Sequence, residues 1–262
     1  MPQKAKLGQN FLANRNARTR IVEALGDISE KTVVEIGPGK AAITELLAQK
    51  AQRLIAVELD RELAAGLRHR FAESNVEVVE QDILTVDLAS FRDGEEKLFV
   101  VGNLPYYITS DILLHMFRYH DAILRAVVMM QREVADRVAA APGSRDYGVL
   151  SATTQLYAHV EKLMTLPPGA FSPPPQVHSS VLRLTFAPRF AELAVDAEGF
   201  IAFLRQCFAQ KRKTLLNNLR VAGFESANIA QAAQVAAISL QARAEALSLE
   251  EMARLYRALH GA

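Results

Sequence analysis

Short apolar runs alternate with helical stretches over the first 159 residues, and this alternation restricts the fold more than any other feature of the chain. Thr32–Ile36, Leu54–Val57, Val76–Val79, Leu98–Val101 and Ala126–Met130 read as strands. Ala41–Ala51, Leu59–Phe71, Asp111–Tyr119, Arg132–Ala141 and Val149–His159 read as helices. Strand–helix–strand units cross over right-handedly and build a mostly parallel sheet. The pattern then changes. Val160–Leu166 and Ser180–Phe186 flank a proline-rich segment, Pro167–Pro175, with no room for a crossover helix, so these two runs pair antiparallel. After Pro188 the strand signals stop. Phe200–Leu219, Ser226–Ala237 and Leu249–Leu259 read as helices, the last preceded by Ser248 and Glu251 at capping-box spacing. The expected architecture is an α/β domain over residues 1–187, with residues 1–12 as a basic arm, and a small all-helical domain over 188–262.

Four of the strands end in residues suited to a ligand. Gly37-Pro38-Gly39 follows the first strand, where glycines admit close approach to a backbone whose helix start presents unpaired N–H groups. Glu58 stands 21 residues after Gly37, the place of an acid that grips ribose hydroxyls. Gly37-x-Gly39-x-x-Ala42 also fits a nicotinamide-dinucleotide pattern, so the turn alone does not select a cofactor. Asp82 follows the third strand; its carboxylate suits an adenine amine, and equally a helix cap. Asn103-Leu104-Pro105-Tyr106 closes the fourth. Asn103 can accept a hydrogen bond through its side-chain oxygen and Leu104 through its carbonyl. Pro105 stiffens the turn. Tyr106 offers a ring face, worth roughly 1–3 kcal/mol per stacked base. The C-terminal strand ends are the ligand edge of an open α/β sheet.

These motifs do not stand alone. Gly8-Gln9-Asn10-Phe11-Leu12, Val34–Gly39, Val57-Glu58-Leu59-Asp60, Gln81-Asp82, Asn103–Tyr106, Phe171–Val177, Gln210–Thr214 and Arg243–Ser248 occur in one order along the chain. In that order they resemble the rRNA adenine N6-dimethyltransferases, a group of class I methyltransferases dependent on S-adenosyl-L-methionine. The resemblance implies a Rossmann-like methyltransferase sheet. It implies dimethylation of the N6 amine of two adjacent adenines in the 3′-terminal hairpin of small-subunit (16S) rRNA, during ribosome biogenesis. It implies that Asn10 and Leu12 cover the cofactor, that Gly37 and Gly39 lie beside its methionine portion, and that Glu58 holds the ribose. Asp82 then meets the adenine amine and Asn103 lies at the transfer site. Phe171 closes the second face of the target base, or is a plain core aromatic. The chain departs from the family at Ala41, where many methyltransferases carry a further glycine, and at Tyr107, where the family often has Asn.

A base inside a stack cannot reach such a pocket, so the target must be flipped out or lie in a loop. Charge is distributed accordingly. Net charge is +1, yet residues 1–20 and residues 199–220 each carry five basic residues and no acid, which leaves the rest strongly acidic. Lys4, Lys6, Arg205, Lys211, Arg212, Lys213 and Arg220 are the candidate phosphate contacts, against the plainer reading of a solvated face. The single Cys207 excludes an internal disulfide and suits a reducing cytoplasm. The histidines lack metal-ligand spacing, and no apolar run approaches the ~20 residues that span a bilayer. The expectation is a cytoplasmic monomer acting on the small ribosomal subunit, without metal or membrane. Three other readings remain open at this point: a large-subunit rRNA adenine methyltransferase of the antibiotic-resistance type, a mainly binding ribosome-assembly factor, and a nicotinamide dehydrogenase. The last gives no role to Asn103–Tyr106 or to the basic segments.

Overall fold

The structure, a computed structural model, describes residues 10–261. In chain order its strands are β1 (Phe11–Leu12), β2 (Thr32–Ile36), β3 (Arg53–Glu58), β4 (Val76–Glu80), β5 (Leu98–Asn103), β6 (Ile123–Gln131), β7 (Ala158–Leu166), β8 (Phe171–Ser172) and β9 (Ser179–Phe186). The helices are α1 (Arg15–Glu23), α2 (Thr44–Ala48), α3 (Arg61–Arg70), α4 (Thr109–Arg118), α5 (Arg132–Val138), α6 (Val149–Tyr157), α7 (Phe190–Leu193), α8 (Ala197–Cys207), α9 (Leu215–Val221), α10 (Ser226–Val235) and α11 (Leu249–His260).

The main sheet has the order β4-β3-β2-β5-β6-β9-β7. β2 pairs in parallel with β3 and β5, and β5 with β6. β9 turns back against β6, with Met129 opposite Val181. The cross-strand contacts Arg183–Glu161 and Ser180–Thr165 run in opposite order along β9 and β7, as an antiparallel pair requires. All five residues of β2 are buried, as expected for a strand covered by helices on both faces. The strand order reverses between β2 and β5, the switch point where open α/β sheets bind ligands. Gly102 permits the close approach there: a Cβ on it would stand 2.8 Å from the Ile36 carbonyl oxygen. β1 pairs antiparallel with β8, which ties the N-terminal arm to the proline-rich segment.

The chain forms two compact units, one of residues up to 135 with 159–186, the other of 136–158 with 187 onward. The sequence reading placed 136–158 in the first domain. Tyr147, Ala152 and Leu156 instead share an apolar cluster with Phe200, Phe203, Leu204 and Leu255. Nothing local marks this, because α6 follows a strand and a helix just as another βα unit would.

Two helices also differ from expectation. Phe200–Leu219 is not continuous: α8 ends at Cys207 and α9 starts at Leu215. The buried Asn218 side chain holds the turn between them, its Nδ2 donating to the Cys207 carbonyl at 2.8 Å and its Oδ1 accepting from the Gln210 N–H at 3.0 Å. Thr214 caps α9. The helix expected from Ala41 is delayed to Thr44, because Gly37, Gly39 and Ala41 all adopt the left-handed region (φ 66°, 56° and 64°). The Ser248–Glu251 capping box forms as read, with both reciprocal hydrogen bonds.

Candidate active site

Gly37, Gly39, Glu58, Asp82 and Asn103, with Leu104, Pro105 and Tyr106, line one cleft at the C-terminal ends of β2, β3, β4 and β5. The topology explains the convergence. Parallel strands in adjacent positions deliver their terminal residues to the same edge.

The Glu58 side chain is buried and directed at the glycine turn. Its Oε2 accepts the Gly39 N–H and its Oε1 the Asp60 N–H, each at 3.0 Å. Asp60 in turn caps α3 by accepting from Glu62 and Leu63. A Cβ built on Gly37 meets nothing within 4 Å, so the turn faces open space there. A Cβ on Gly39 would lie 2.7 Å from the Phe11 ring, so the arm covers the turn at that point. The Lys40 ammonium sits over the other part of this contact, 4.7 Å from the Phe11 ring centroid. Leu59, next to Glu58, also lines the cleft and is 51% exposed, a large apolar side chain left open beside two acids. Asp82 fills its cap reading and also lines the cleft. Its Oδ1 caps the short 3₁₀ turn Ile83–Thr85 through the Leu84 N–H at 3.0 Å.

The Asn103–Tyr106 segment, a clamp at the end of β5, is held by four contacts. The Asn103 Nδ2 donates to the Asn10 carbonyl at 2.8 Å. That bond fixes the amide, since the reversed orientation would set oxygen against oxygen. The Asn103 Oδ1 is buried and has no hydrogen-bond partner among the described residues. The Leu104 N–H donates to the Met129 carbonyl at 2.8 Å, and the Thr109 hydroxyl to the Pro105 carbonyl at 3.0 Å. The Tyr106 hydroxyl lies 2.7 Å from the Ser179 hydroxyl, which anchors the ring on β9. Tyr107 lines the same cleft and is 63% exposed.

Other sequence-derived residues fall elsewhere. Leu12 and Phe171 are Cα partners in the β1–β8 pair, 3% and 4% exposed, and neither lines the cleft. Both belong to the apolar cluster that contains Ile21, Val33 and Leu54, so Phe171 is placed as a core aromatic and not as a stacking face. Strand alternation accounts for the exchange at Leu12: Phe11 faces the glycine turn, so its neighbour faces away. Phe11, Leu59, Gln81, Ile83 and Tyr107 were not read as site residues, although all lie within or beside the quoted motifs. The pleat of the arm was the available signal for Phe11.

Glu35 is a further buried acid, on β2 below the turn and 2% exposed. Burial pushes its carboxyl up to about 7, and the negative charge of Glu58 adds to the shift. Its Oε2 has no hydrogen-bond partner among the described residues.

Lys4 and Lys6 lie outside the described residues. Arg205 and Arg220 are exposed on α8 and α9, and Lys211, Arg212 and Lys213 are exposed in the turn between these helices. The Lys211 ammonium donates to the Arg145 carbonyl at 2.7 Å, which fixes this turn beside the 139–148 loop. Among the described residues no group of three His, Cys, Asp or Glu side chains could hold a metal, and no helix is long and apolar enough to cross a membrane.

Known proteins resemble this chain over nearly its whole length. A protein of Acidobacterium capsulatum named ribosomal RNA small subunit methyltransferase A is 65% identical over 257 residues, covering 98% of this chain and 91% of that one. The crystal structure of a dimethyladenosine transferase from Plasmodium falciparum shares the fold, with a TM-score of 0.77 at 22% identity over 94% of this chain and 95% of that one. The 23S rRNA methyltransferase ErmE superposes with a TM-score of 0.73 at 26% identity, over 96% of this chain and 100% of that one. The family model for ribosomal RNA adenine dimethylases matches residues 2–260. A match of that extent, falling across the very strand ends that build the cleft, makes this chain a member of the ribosomal RNA adenine dimethylase family.

Proposed function

We propose that the protein dimethylates the N6 amine of two adjacent adenines in the 3′-terminal hairpin of small-subunit (16S) rRNA, in the cytoplasm, during ribosome biogenesis. The observation that carries this reading is the buried, unpartnered Asn103 Oδ1 in the cleft. A buried acceptor without a donor costs about 1–3 kcal/mol. An exocyclic amine supplies the missing donor.

The residues present fit S-adenosyl-L-methionine. Gly37 leaves backbone open to the methionine portion with Gly39 beside it beneath the arm, the Glu58 carboxylate faces the ribose, and Asp82 accepts from the adenine amine. Asn10 and Phe11 cover the turn, and Leu59 provides an apolar surface for the purine. Bound there, the cofactor supplies a methyl group already activated as a sulfonium, so the protein need furnish no covalent nucleophile.

The chain's own residues act on the acceptor. The adenine N6 lone pair is delocalised into the ring. In the first transfer Asn103 Oδ1 and the Leu104 carbonyl accept hydrogen bonds from the amine's two N–H groups, and in the second from the one that remains, drawing the nitrogen toward tetrahedral geometry with the lone pair aimed at the donor. This is orientation together with electrostatic preorganisation. Tyr106 stacks on the extruded base, and its hydroxyl bond to Ser179 keeps the ring in place. The proton released afterwards goes to water. Lys4, Lys6, Arg205, Lys211, Arg212, Lys213 and Arg220 hold RNA phosphates.

The likeness to a 23S rRNA methyltransferase favours one second reading, action on large-subunit RNA. Labelled methyl transfer to unmodified small subunits and to large-subunit RNA, with mapping of the modified nucleosides, separates the two. Dimethyladenosine at adjacent positions in the small-subunit RNA is the expected result. Label confined to large-subunit RNA would overturn the proposal.

A further inference from the structure

We propose that His115 is a positioning residue for the cofactor's adenine side, holding residues 81–86 in binding geometry through a buried hydrogen bond from α4. The proposal rests on the reading of the cleft as the cofactor site.

His115 is 5% exposed on the buried face of α4, and no step of the methyl transfer uses it. Its Nε2 lies 3.0 Å from the Val86 carbonyl. A carbonyl only accepts, so Nε2 carries the hydrogen, and burial disfavours a second proton on Nδ1. Nδ1 is buried without a hydrogen-bond partner among the described residues, and the ring packs edge-on against Tyr119 at 5.1 Å. Val86, itself 3% exposed, closes the 3₁₀ turn whose cap is Asp82. The same short loop contributes Gln81, Asp82 and Ile83 to the cleft. Within the loop the Gln81 amide donates to the Thr85 carbonyl at 3.1 Å and hydroxyl at 2.9 Å, and at its start the Gln81 N–H donates to the Glu58 carbonyl on β3 at 3.1 Å. His115 therefore supplies the bond that fastens the far end of the loop, at Val86, to α4. At its first residue α4 is fastened to the clamp, through the Thr109 hydroxyl bond to Pro105. One helix thus braces both the acceptor clamp and the donor loop.

Loss of the Nε2–H leaves the Val86 carbonyl buried and unpaired, which favours loop states that turn it to water. Apparent cofactor affinity then falls by the fraction of molecules still in binding geometry, while chemistry in the loaded site is unaffected. The size of such a lost bond corresponds to about a five- to hundredfold weaker dissociation constant. A core histidine without this role would lower the melting temperature and leave the affinity of the folded protein unchanged.

Calorimetric titration of the full chain with S-adenosylhomocysteine tests this, alongside thermal melting and methyl transfer at saturating donor. His115→Leu should bind at least fivefold more weakly, with kcat at saturation within threefold. His115→Gln places an amide nitrogen near the depth of Nε2 and should bind within threefold of the parent; the shorter His115→Asn should not. Parent-like binding by folded His115→Leu or His115→Asn, or a glutamine variant as weak as asparagine, would overturn the assignment. If leucine does not fold, the glutamine–asparagine pair decides. An unsubstituted chain that fails to bind the probe would overturn the cofactor reading, and this proposal with it.

Discussion

Asn103→Ala separates a residue kept for chemistry from one kept for stability. The substitution removes two features at once. It deletes the Nδ2 bond to the Asn10 carbonyl, 2.8 Å long and worth roughly 0.5–1.5 kcal/mol net. It also deletes a buried oxygen that has no partner, whose burial costs about 1–3 kcal/mol. These two contributions together run from about 0.5 kcal/mol against the variant to about 2.5 kcal/mol in its favour. At about 2–4 °C per kcal/mol for a chain of this size, the melting temperature should stay close to the parent's or rise by several degrees. Activity should move the other way. Removing one preorganised partner from a transition state costs about 10²–10³ in kcat. Single-turnover methyl transfer to unmodified small subunits, at saturating donor, reads the rate; scanning calorimetry without ligand reads the stability. A rate within tenfold of the parent would refute the clamp. A melting temperature lowered by more than about 4 °C would show that Oδ1 is satisfied in the folded chain and that Asn103 is structural.

Tyr106→Ala should lower kcat/KM for RNA by about 5- to 150-fold, the range of one lost base stack, with S-adenosylhomocysteine affinity by titration unchanged; equal loss of both would remove Tyr106 from the stacking role. Glu35, with its carboxyl raised to about 7 by burial, keeps a proton in the folded chain that the unfolded chain releases near 4.5, so stability should fall as pH rises through that window. The total is about 3 kcal/mol, complete above pH 7, and Glu35→Gln should abolish it: the variant melts above the parent at pH 8 and close to it at pH 5. A parent whose melting temperature does not fall between pH 5 and pH 8 relative to the variant would contradict the buried neutral acid. Neutralising Lys211, Arg212 and Lys213 together should reduce the slope of log affinity for RNA against log salt by about 2, read by filter binding across a salt series; an unchanged slope would take this turn out of the RNA contact.

Legibility in the sequence followed the range of the forces involved. The strand termini carrying Gly37, Glu58, Asp82 and Asn103 were readable because apolar run and terminal residue are adjacent in the chain, and parallel topology brings such ends to one edge. The break after Cys207 was not readable. It depends on the Asn218 side chain reaching back 11 residues to the Cys207 carbonyl, in a segment whose composition favours helix throughout. The place of Phe11 at the glycine turn and of Phe171 in the core was unreadable for a related reason. The two-residue pairing of β1 with β8 decides which ring meets the cleft, and a pair separated by so much chain leaves no periodicity to read. Ala41 shows the opposite case. Its left-handed φ of 64° marks a position where glycine is the relaxed choice, in line with the glycine that many methyltransferases carry there.

The backbone passes between the two compact units at residues 135–136, 158–159 and 186–187. A fragment cut to begin at 188 would therefore lack the Tyr147 and Leu156 side chains that fill its interior, and the remaining piece would expose them. An engineer exchanging this helical portion between relatives must transplant the internal segment 136–158, with helix α6, together with the tail.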